Sequence, residues 1–424
     1  MEKLTHWKLR NKFLFPLYAF ILLSIKAHAQ TISISDVIKK IENQNPQLKM
    51  YSSEIISMDT LANGAKSWMP PQFSSGFFMT PYDIKMWKGE GINNGMGSFM
   101  FGVTQMIPNF SRINSEYKYM KSMSSVEKEK KNFIQNQLFA QAKLYYSQIV
   151  VLTKRKKVLE ESYSILEFMI KSMEVRYKYN MDKLPTYYKA KSELSKMESM
   201  IIMTRNNISQ NRIELNVLMA ENPYAEFDVD TIFDFKSYDI LIKETKINEF
   251  KRSDIKAIDN SINLNDLSID LEKSKLRPEF GVKYEHMASF GGAPQLYTLM
   301  GMVNIPMPWS TKMNKSSINS LKYKNEALEW QKGMIINEVE GMLSKANTEI
   351  KNLNEQYSIS KDKIIPALKK NFELSLLAWQ NNLGGLFEVL DAWEILNNEQ
   401  IVLLEKAQLI LEMQVEIEKQ LEIR

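Results

Sequence analysis

From Leu138 onward, apolar positions advance by alternating steps of four and three: Leu138, Ala142, Tyr145, Ile149, Leu152, Leu159, Tyr163, Leu166, Ile170, Met173 and Tyr177, interrupted only at Lys156. Such a seam is the signature of helices packed as a coiled coil. It predicts one helix over about 115–177, a rod of roughly 95 Å at about 1.5 Å per residue. A second seam, Ile335, Val339, Met342, Ala346, Leu353, Tyr357, Ile364 and Leu374, predicts another long helix over about 314–378. Each rod runs into a tight turn (178–182 and 380–385) and a returning helix. The first returns over 184–219, with Pro185 tolerable in its opening turn. The second spans Leu386–Glu422, with Val389, Trp393, Leu396, Leu403, Ala407, Ile410, Ile417 and Leu421 in register.

Ahead of each rod the period changes from helical to extended. Strands are predicted at about 70–80 and 97–107, and again at about 276–287 and 295–305. A polar loop joins the first pair and a short Gly-rich loop the second. Shorter helices precede them: Ser35–Asn43 with Ser35 as cap, Pro46 to about Ser67, and Ser253–Lys275 capped by Ser253 and Asp254. Ser98–Asn114, SFMFGVTQMIPNFSRIN, returns as Thr298–Asn314, TLMGMVNIPMPWSTKMN. Met100 answers Met300, Val103 answers Val303, and Pro108 answers Pro308. One unit is therefore written twice, as repeats over 30–219 and 252–424. The joint between them, 220–251, reads as small helices or a strand.

Composition narrows the chemistry. The 424 residues contain no cysteine, which excludes disulfides, thiolate metal sites and a cysteine nucleophile. Histidines occur only at 6, 28 and 286. Residues 1–29 read as a secretory signal peptide: a basic start (Lys3, Lys8, Arg10, Lys12), the apolar run Phe13–Ile25, and an Ala27-His28-Ala29 cleavage site. That segment takes most of the formal +5 charge with it, so the basic balance is no argument for nucleic acid. No later apolar run is long enough for a spanning helix. A membrane role would have to use strands.

Four strands cannot close a barrel, and an open edge is not viable in lipid, where its backbone groups have no water to bond. Either the strands form a soluble sheet, or several chains pool them; three chains would supply twelve. The aromatics Phe73, Phe77, Phe78, Phe99, Phe101, Phe280, Tyr284 and Tyr297 suit a lipid-facing band. The competing reading is a soluble periplasmic coiled-coil scaffold without a channel.

Over nearly all of the mature sequence the chain resembles the TolC-type outer-membrane efflux proteins, the outer membrane factor family. The resemblance rests on the duplicated helix–hairpin–long-helix unit, on Tyr177-Lys-Tyr-Asn180 with its counterpart Trp379-Gln-Asn-Asn382, and on Leu386-Phe-Glu-Val-Leu-Asp-Ala392. It implies a mainly α fold with a β part: a homotrimer whose twelve-stranded barrel lies in outer-membrane lipid and continues as an α-helical coiled-coil tunnel through the periplasm of a Gram-negative bacterium. It also implies passive export of a drug, metal ion or polypeptide, all of which use similar ducts, driven by an inner-membrane pump such as an RND transporter through a periplasmic adaptor (membrane fusion) protein. No enzyme activity or cofactor is implied. Asn180 and Asn382 stand where the family places a turn glycine; Asn tolerates a left-handed backbone.

Glu388 and Asp391 lie one helical turn apart, just past Gly384-Gly385. On their own they read as acids favoured near a helix N-terminus. The resemblance implies instead that they line the periplasmic aperture, where threefold repetition would make a cation-attracting ring. It likewise implies that Tyr179, Asn180, Met181, Asp182, Asn381, Asn382, Gly384 and Gly385 form adaptor-docking turns. Lys183 and Lys189 are candidates for pairing with those acids across chains. Methionine is frequent, at 26, and clusters in both hairpins. Thioethers are soft ligands that select Cu(I), so heavy-metal (copper or silver) export would fit, although methionine also fills apolar gaps.

Overall fold

A computed structural model describes residues 31–89, 95–179, 183–238 and 252–423. The expected signal peptide, Asn180, Met181, Asp182 and residues 239–251 of the joint lie outside the described residues. The order is β1 (Thr31–Ile32), α1 (Ile34–Gln44), α2 (Pro46–Gly64), β2 (Gln72–Phe78), β3 (Ser98–Ile107), α3 (Phe110–Tyr177), α4 (Leu184–Leu218), β4 (Asp228–Val229), α5 (Ser253–Ser274), β5 (Glu279–Ser289), β6 (Leu296–Asn304), α6 (Lys312–Ile359), a π turn (Ser360–Ile364), α7 (Ile365–Gln380) and α8 (Leu386–Leu421). Described residues fall into two compact units. Of these, one draws on residues 31–45, 138–179, 183–237 and 346–418, the other on 46–89, 95–137, 238, 252–345 and 419–423. Each unit therefore takes residues from both sequence halves.

Several helix starts differ from expectation because other groups satisfy the exposed amides. The cap of α1 is Ser33, not Ser35: its Oγ accepts from the Asp36 amide at 3.2 Å. The same hydroxyl donates to the Asp36 carboxylate and lowers its pKa. The long helix α3 begins at Phe110, five residues earlier than expected, because the Asn109 carboxamide accepts from the amides of Ser111 and Arg112. Neither Ser253 nor Asp254 caps α5; Arg252 holds that position, with no side-chain cap. Ser253 instead donates through its amide and hydroxyl to Glu422, and Arg252 pairs with Asp254 at 2.7 Å.

The second unit is built on one antiparallel sheet in the order β2-β3-β5-β6. Residues directly opposite one another share a face. The pairs Phe73–Val103, Phe77–Phe99, Phe101–His286, Val103–Tyr284, Phe280–Val303, His286–Tyr297 and Tyr284–Leu299 define one apolar face. Phe73, Phe77, Phe99, Phe101, Phe280, Val282, Tyr284, Tyr297, Leu299 and Val303 are all exposed on it. Phe78 is the exception in the expected aromatic band. It lies opposite Ser98, on the other face, because Phe77 and Phe78 are consecutive and a strand turns successive side chains to opposite sides. That second face carries the charged and most of the polar side chains, Ser74, Thr104, Lys283, Glu285 and Thr298 among them, interspersed with Phe78, Leu296 and five methionines.

The first unit is a helical core. Leu159, Leu166, Met169 and Met173 of α3 pack with Ala190 and Met197 of α4, Phe372 and Trp379 of α7, and Val389, Leu390 and Trp393 of α8. The predicted seam of α3 is buried or half-buried as far as Met173; Tyr177 at its end is exposed. Deep in this packing the Ser162 hydroxyl donates to the Asn397 side-chain oxygen at 2.7 Å.

The second rod is not one continuous α-helix, and its expected seam slips. Val339, Leu343, Ala346, Ile350 and Leu353 are buried at steps of four and three, and Ser360 continues the row. The π turn then adds one residue, so the row resumes at Ile365, Leu368, Phe372 and Trp379. Ile364 and Leu374, expected in the seam, are exposed, and Met342 faces outward beside buried Leu343. The cause is Pro366, which has no amide for a regular helical bond and crowds the preceding turn. The wide turn absorbs it, and Lys406 donates to the hydroxyl of buried Ser360 at 2.7 Å.

The joint contains β4, which pairs in parallel with β1 (Thr31–Asp228, Ile32–Val229). Tyr146 donates to the Ile32 carbonyl at 3.2 Å, and burial raises its hydroxyl pKa. Upstream, α4 closes with the amides of Glu221 and Ala220 donating to the carbonyls of Asn216 and Val217. This leaves Ala220 left-handed, at φ 57°. Ala220→Gly should therefore stabilise the protein by about 1 kcal/mol, read as a rise in the denaturation midpoint; an unchanged midpoint would mean the strain is relieved elsewhere.

Candidate functional site

The turn between α7 and α8 is fixed by backbone geometry first. The amides of Asn382 and Leu383 donate to the carbonyls of Trp379 (3.1 Å) and Ala378 (2.8 Å), a Schellman closure that needs a left-handed residue at position 382. Asn382 supplies it, at φ 59°, as its tolerance for that backbone led us to expect. Asn381 caps the helix, its side-chain amide donating to the Leu377 carbonyl at 2.9 Å. A Cβ on Gly384 would meet that of Ala378 at 3.3 Å, so the chain passes close there.

Side chains from the other rod lock this turn. The Arg176 guanidinium lies over the Trp379 ring, 4.9 Å from its centroid, and donates to the Asn382 side-chain oxygen. Arg176 did not stand out in the sequence; Trp379 did, as the start of the second exposed turn, but its side chain is buried in the core. A basic residue in the last turn of α3 was the available signal, since cations suit a helix C-terminus.

Glu388 and Asp391 are both exposed on the first turns of α8. The Glu388 carboxylate accepts from the Gly385 amide. This is the third-position half of a capping box, so Glu388 has a structural task besides its charge. Lys189 is engaged within its own chain: its ammonium lies 3.6 Å from Glu394 and 4.8 Å from the Phe387 ring centroid. Tyr187 donates to Glu174 at 3.1 Å, and that bond raises the Tyr187 pKa. Around these contacts Tyr177, Tyr179, Leu184, Tyr188, Leu383 and Phe387 are exposed, an unusual density of large apolar groups at helix ends. Among the described residues no group of three histidine, aspartate or glutamate side chains could hold a metal, and no helix is long and apolar enough to cross a membrane.

Element order, sheet register and paired helical turns together can be set against known structures. CusC, which forms a transmembrane channel, superposes with a TM-score of 0.73 at 13% identity, covering 94% of this chain and 95% of its own. The chain has the fold of TolC-type outer-membrane channels. The Campylobacter jejuni outer-membrane channel CmeC matches this channel fold with a TM-score of 0.73 at 13% identity, over 94% of this chain and 90% of that one. The Vibrio cholerae outer-membrane protein VceC matches at 0.72 and 12%, over 92% and 95%. No protein-family model and no curated protein matches the sequence, so the likeness is one of three-dimensional fold.

Two outcomes follow from the turn of the channel fold. Asn382→Val should destabilise the protein by about 1–2 kcal/mol, because a β-branched residue resists the left-handed backbone; Asn382→Gly should cost less, losing only the Arg176 contact. Unfolding midpoints of the two variants decide it. The Tyr187 bond is present below the ordinary phenol range near pH 10 and is lost as pH rises through the higher folded value. Ring-labelled Tyr187 followed by NMR should titrate at lower pH in Glu174→Gln.

Proposed function

We propose that the protein is a passive exit duct in the outer membrane. Three copies pool their sheets into a twelve-stranded barrel that continues as a helical tunnel into the periplasm. The observation that carries this reading is the sheet. One face is mostly apolar and exposed, the other carries the charged side chains, and β2 and β6 have no neighbour on their outer edges among the described residues. In water that surface would be a liability; in lipid it is the required exterior, provided both edges are paired. Shared fold with outer-membrane channels supports the same reading. A soluble scaffold would have no use for the apolar face.

The helix tips are the periplasmic end. Their exposed aromatic and aliphatic side chains suit docking to the helical tip of an adaptor that couples the duct to an inner-membrane pump such as an RND transporter. Asp391, with Glu388 beside it, puts carboxylates at the mouth, where a ring of them would favour cations in a narrow passage. Opening would be a shift between two packings of the tip helices, biased by the adaptor. The Arg176–Asn382 and Lys189–Glu394 contacts brace the tip packing of this structure and would have to be exchanged in such a shift.

The mature protein extracted in detergent should have the mass of a trimer and conduct ions in a planar bilayer. A monomer soluble in plain buffer would establish the scaffold instead. In the duct, the double variant Glu388→Gln, Asp391→Asn removes the charge while leaving position 388 able to accept from Gly385. It should shift the reversal potential toward lower cation preference with an unchanged oligomer; an unchanged potential would remove both residues from the mouth.

A further inference from the structure

We propose that the polar face of the sheet binds soft monovalent cations, Cu(I) or Ag(I), through methionine thioethers, and that such ions belong to the cargo of the duct. The inference rests on the duct reading, which makes this face the wall of the passage.

The strand register sorts the methionines completely. Met100 and Met106 of β3, Met287 of β5, and Met300 and Met302 of β6 all occupy the polar face, and the apolar face has none. If methionine were merely filling lipid-facing gaps, the distribution would be the reverse. A polar, water-facing surface is a poor place for five uncharged thioethers unless they have a ligand.

The placement is also convergent. Met100 lies directly opposite Met287, at the separation where cross-strand side chains touch. Met106 and Met302 are the neighbours of Gly281 on either side. A Cβ at that glycine would meet the Met106 sulfur at 2.6 Å and the Met302 methyl at 3.1 Å. The two thioether ends therefore meet over a position where only glycine leaves room for them. Met300 follows on the same strand face, two residues from Met302. The nearby charges neutralise one another, because Lys283 is paired with Glu285 on the same strand. His286 lies on the opposite face and contributes nothing.

Chemistry selects the ligand. Neutral, polarisable sulfur donors favour d¹⁰ monovalent ions over Mg²⁺, Ca²⁺ or Zn²⁺, which prefer oxygen, nitrogen or thiolate. A row of weak thioether sites also suits passage, since conduction requires binding that is shared among sites and easily released.

The test uses the full mature protein in detergent, with Ag(I) as a probe that does not change oxidation state. Bound silver is measured by elemental mass spectrometry after gel filtration, and its neighbours by X-ray absorption. The wild type should retain silver with sulfur scatterers in its first shell. Replacing Met100, Met106, Met287, Met300 and Met302 together by Leu should lower retention at least about tenfold. The same replacement at Met50, Met203 and Met334, exposed outside the sheet, should leave it unchanged. Equal retention by wild type and sheet variant, or none by wild type, overturns the inference. Bilayer conductance is recorded in parallel: conductance without silver retention sinks this inference alone, and its absence in both proteins sinks the duct reading. Should the fivefold variant fail to assemble, Met106→Leu with Met302→Leu takes its place. Several-fold weaker retention then supports the site and unchanged retention overturns it.

Discussion

A backbone amide or carbonyl in hydrocarbon must find its partner within protein. This one requirement explains why the proposed assembly takes the form it does. The sheet has four strands, a mostly apolar face and two outer edges whose hydrogen-bonding groups look for a neighbour. A single chain cannot satisfy both edges and also submerge that face. In the proposed assembly, threefold pooling would satisfy both at once and turn the polar face inward. Oligomeric state, membrane placement and the identity of the passage wall then become aspects of one constraint.

The helical unit answers a different demand. Long helices packed side by side need a seam that stays in register over many turns, and the four-three rhythm of α3 provides it. In the second rod Pro366 breaks that rhythm, and a π turn lets the seam continue one residue later. At the tips, packing yields to specific polar contacts. Arg176, Trp379 and Asn382 join the two rods through one ring face and one side-chain oxygen. Contacts of this kind are strong enough to hold a turn and few enough to be exchanged.

Much of this was legible in the sequence because periodicity survives on its own. Two strand pairs, two rods and both returning helices can be read from step sizes, and the left-handed turn from Asn382. What was not legible depended on partners distant in the chain. Ser253 reads as a cap until Glu422 is seen to occupy it. Ile364 and Leu374 read as seam residues because a one-residue slip leaves the local pattern apolar. Phe78 reads as part of the aromatic band because the face of a strand residue depends on register. Glu388 reads as a free charge, although the nearby Gly385 amide uses it. Most telling are the methionines: their number is visible in composition, but only the pairing of strands puts five of them on one surface.

Interleaving of the two compact units has a kinetic consequence. The helical core containing Leu159 and Ala190 also needs Phe372, Val389 and Trp393, and the sheet needs β5 and β6 to follow β2 and β3 by some two hundred residues. Neither half can complete a core as it is synthesised, so both cores wait on contacts of high sequence separation, which slow folding. Until the last helix is made, strands with a hydrophobic face are exposed to every other unfinished chain. Association through those strands therefore competes with folding until the last helix is in place.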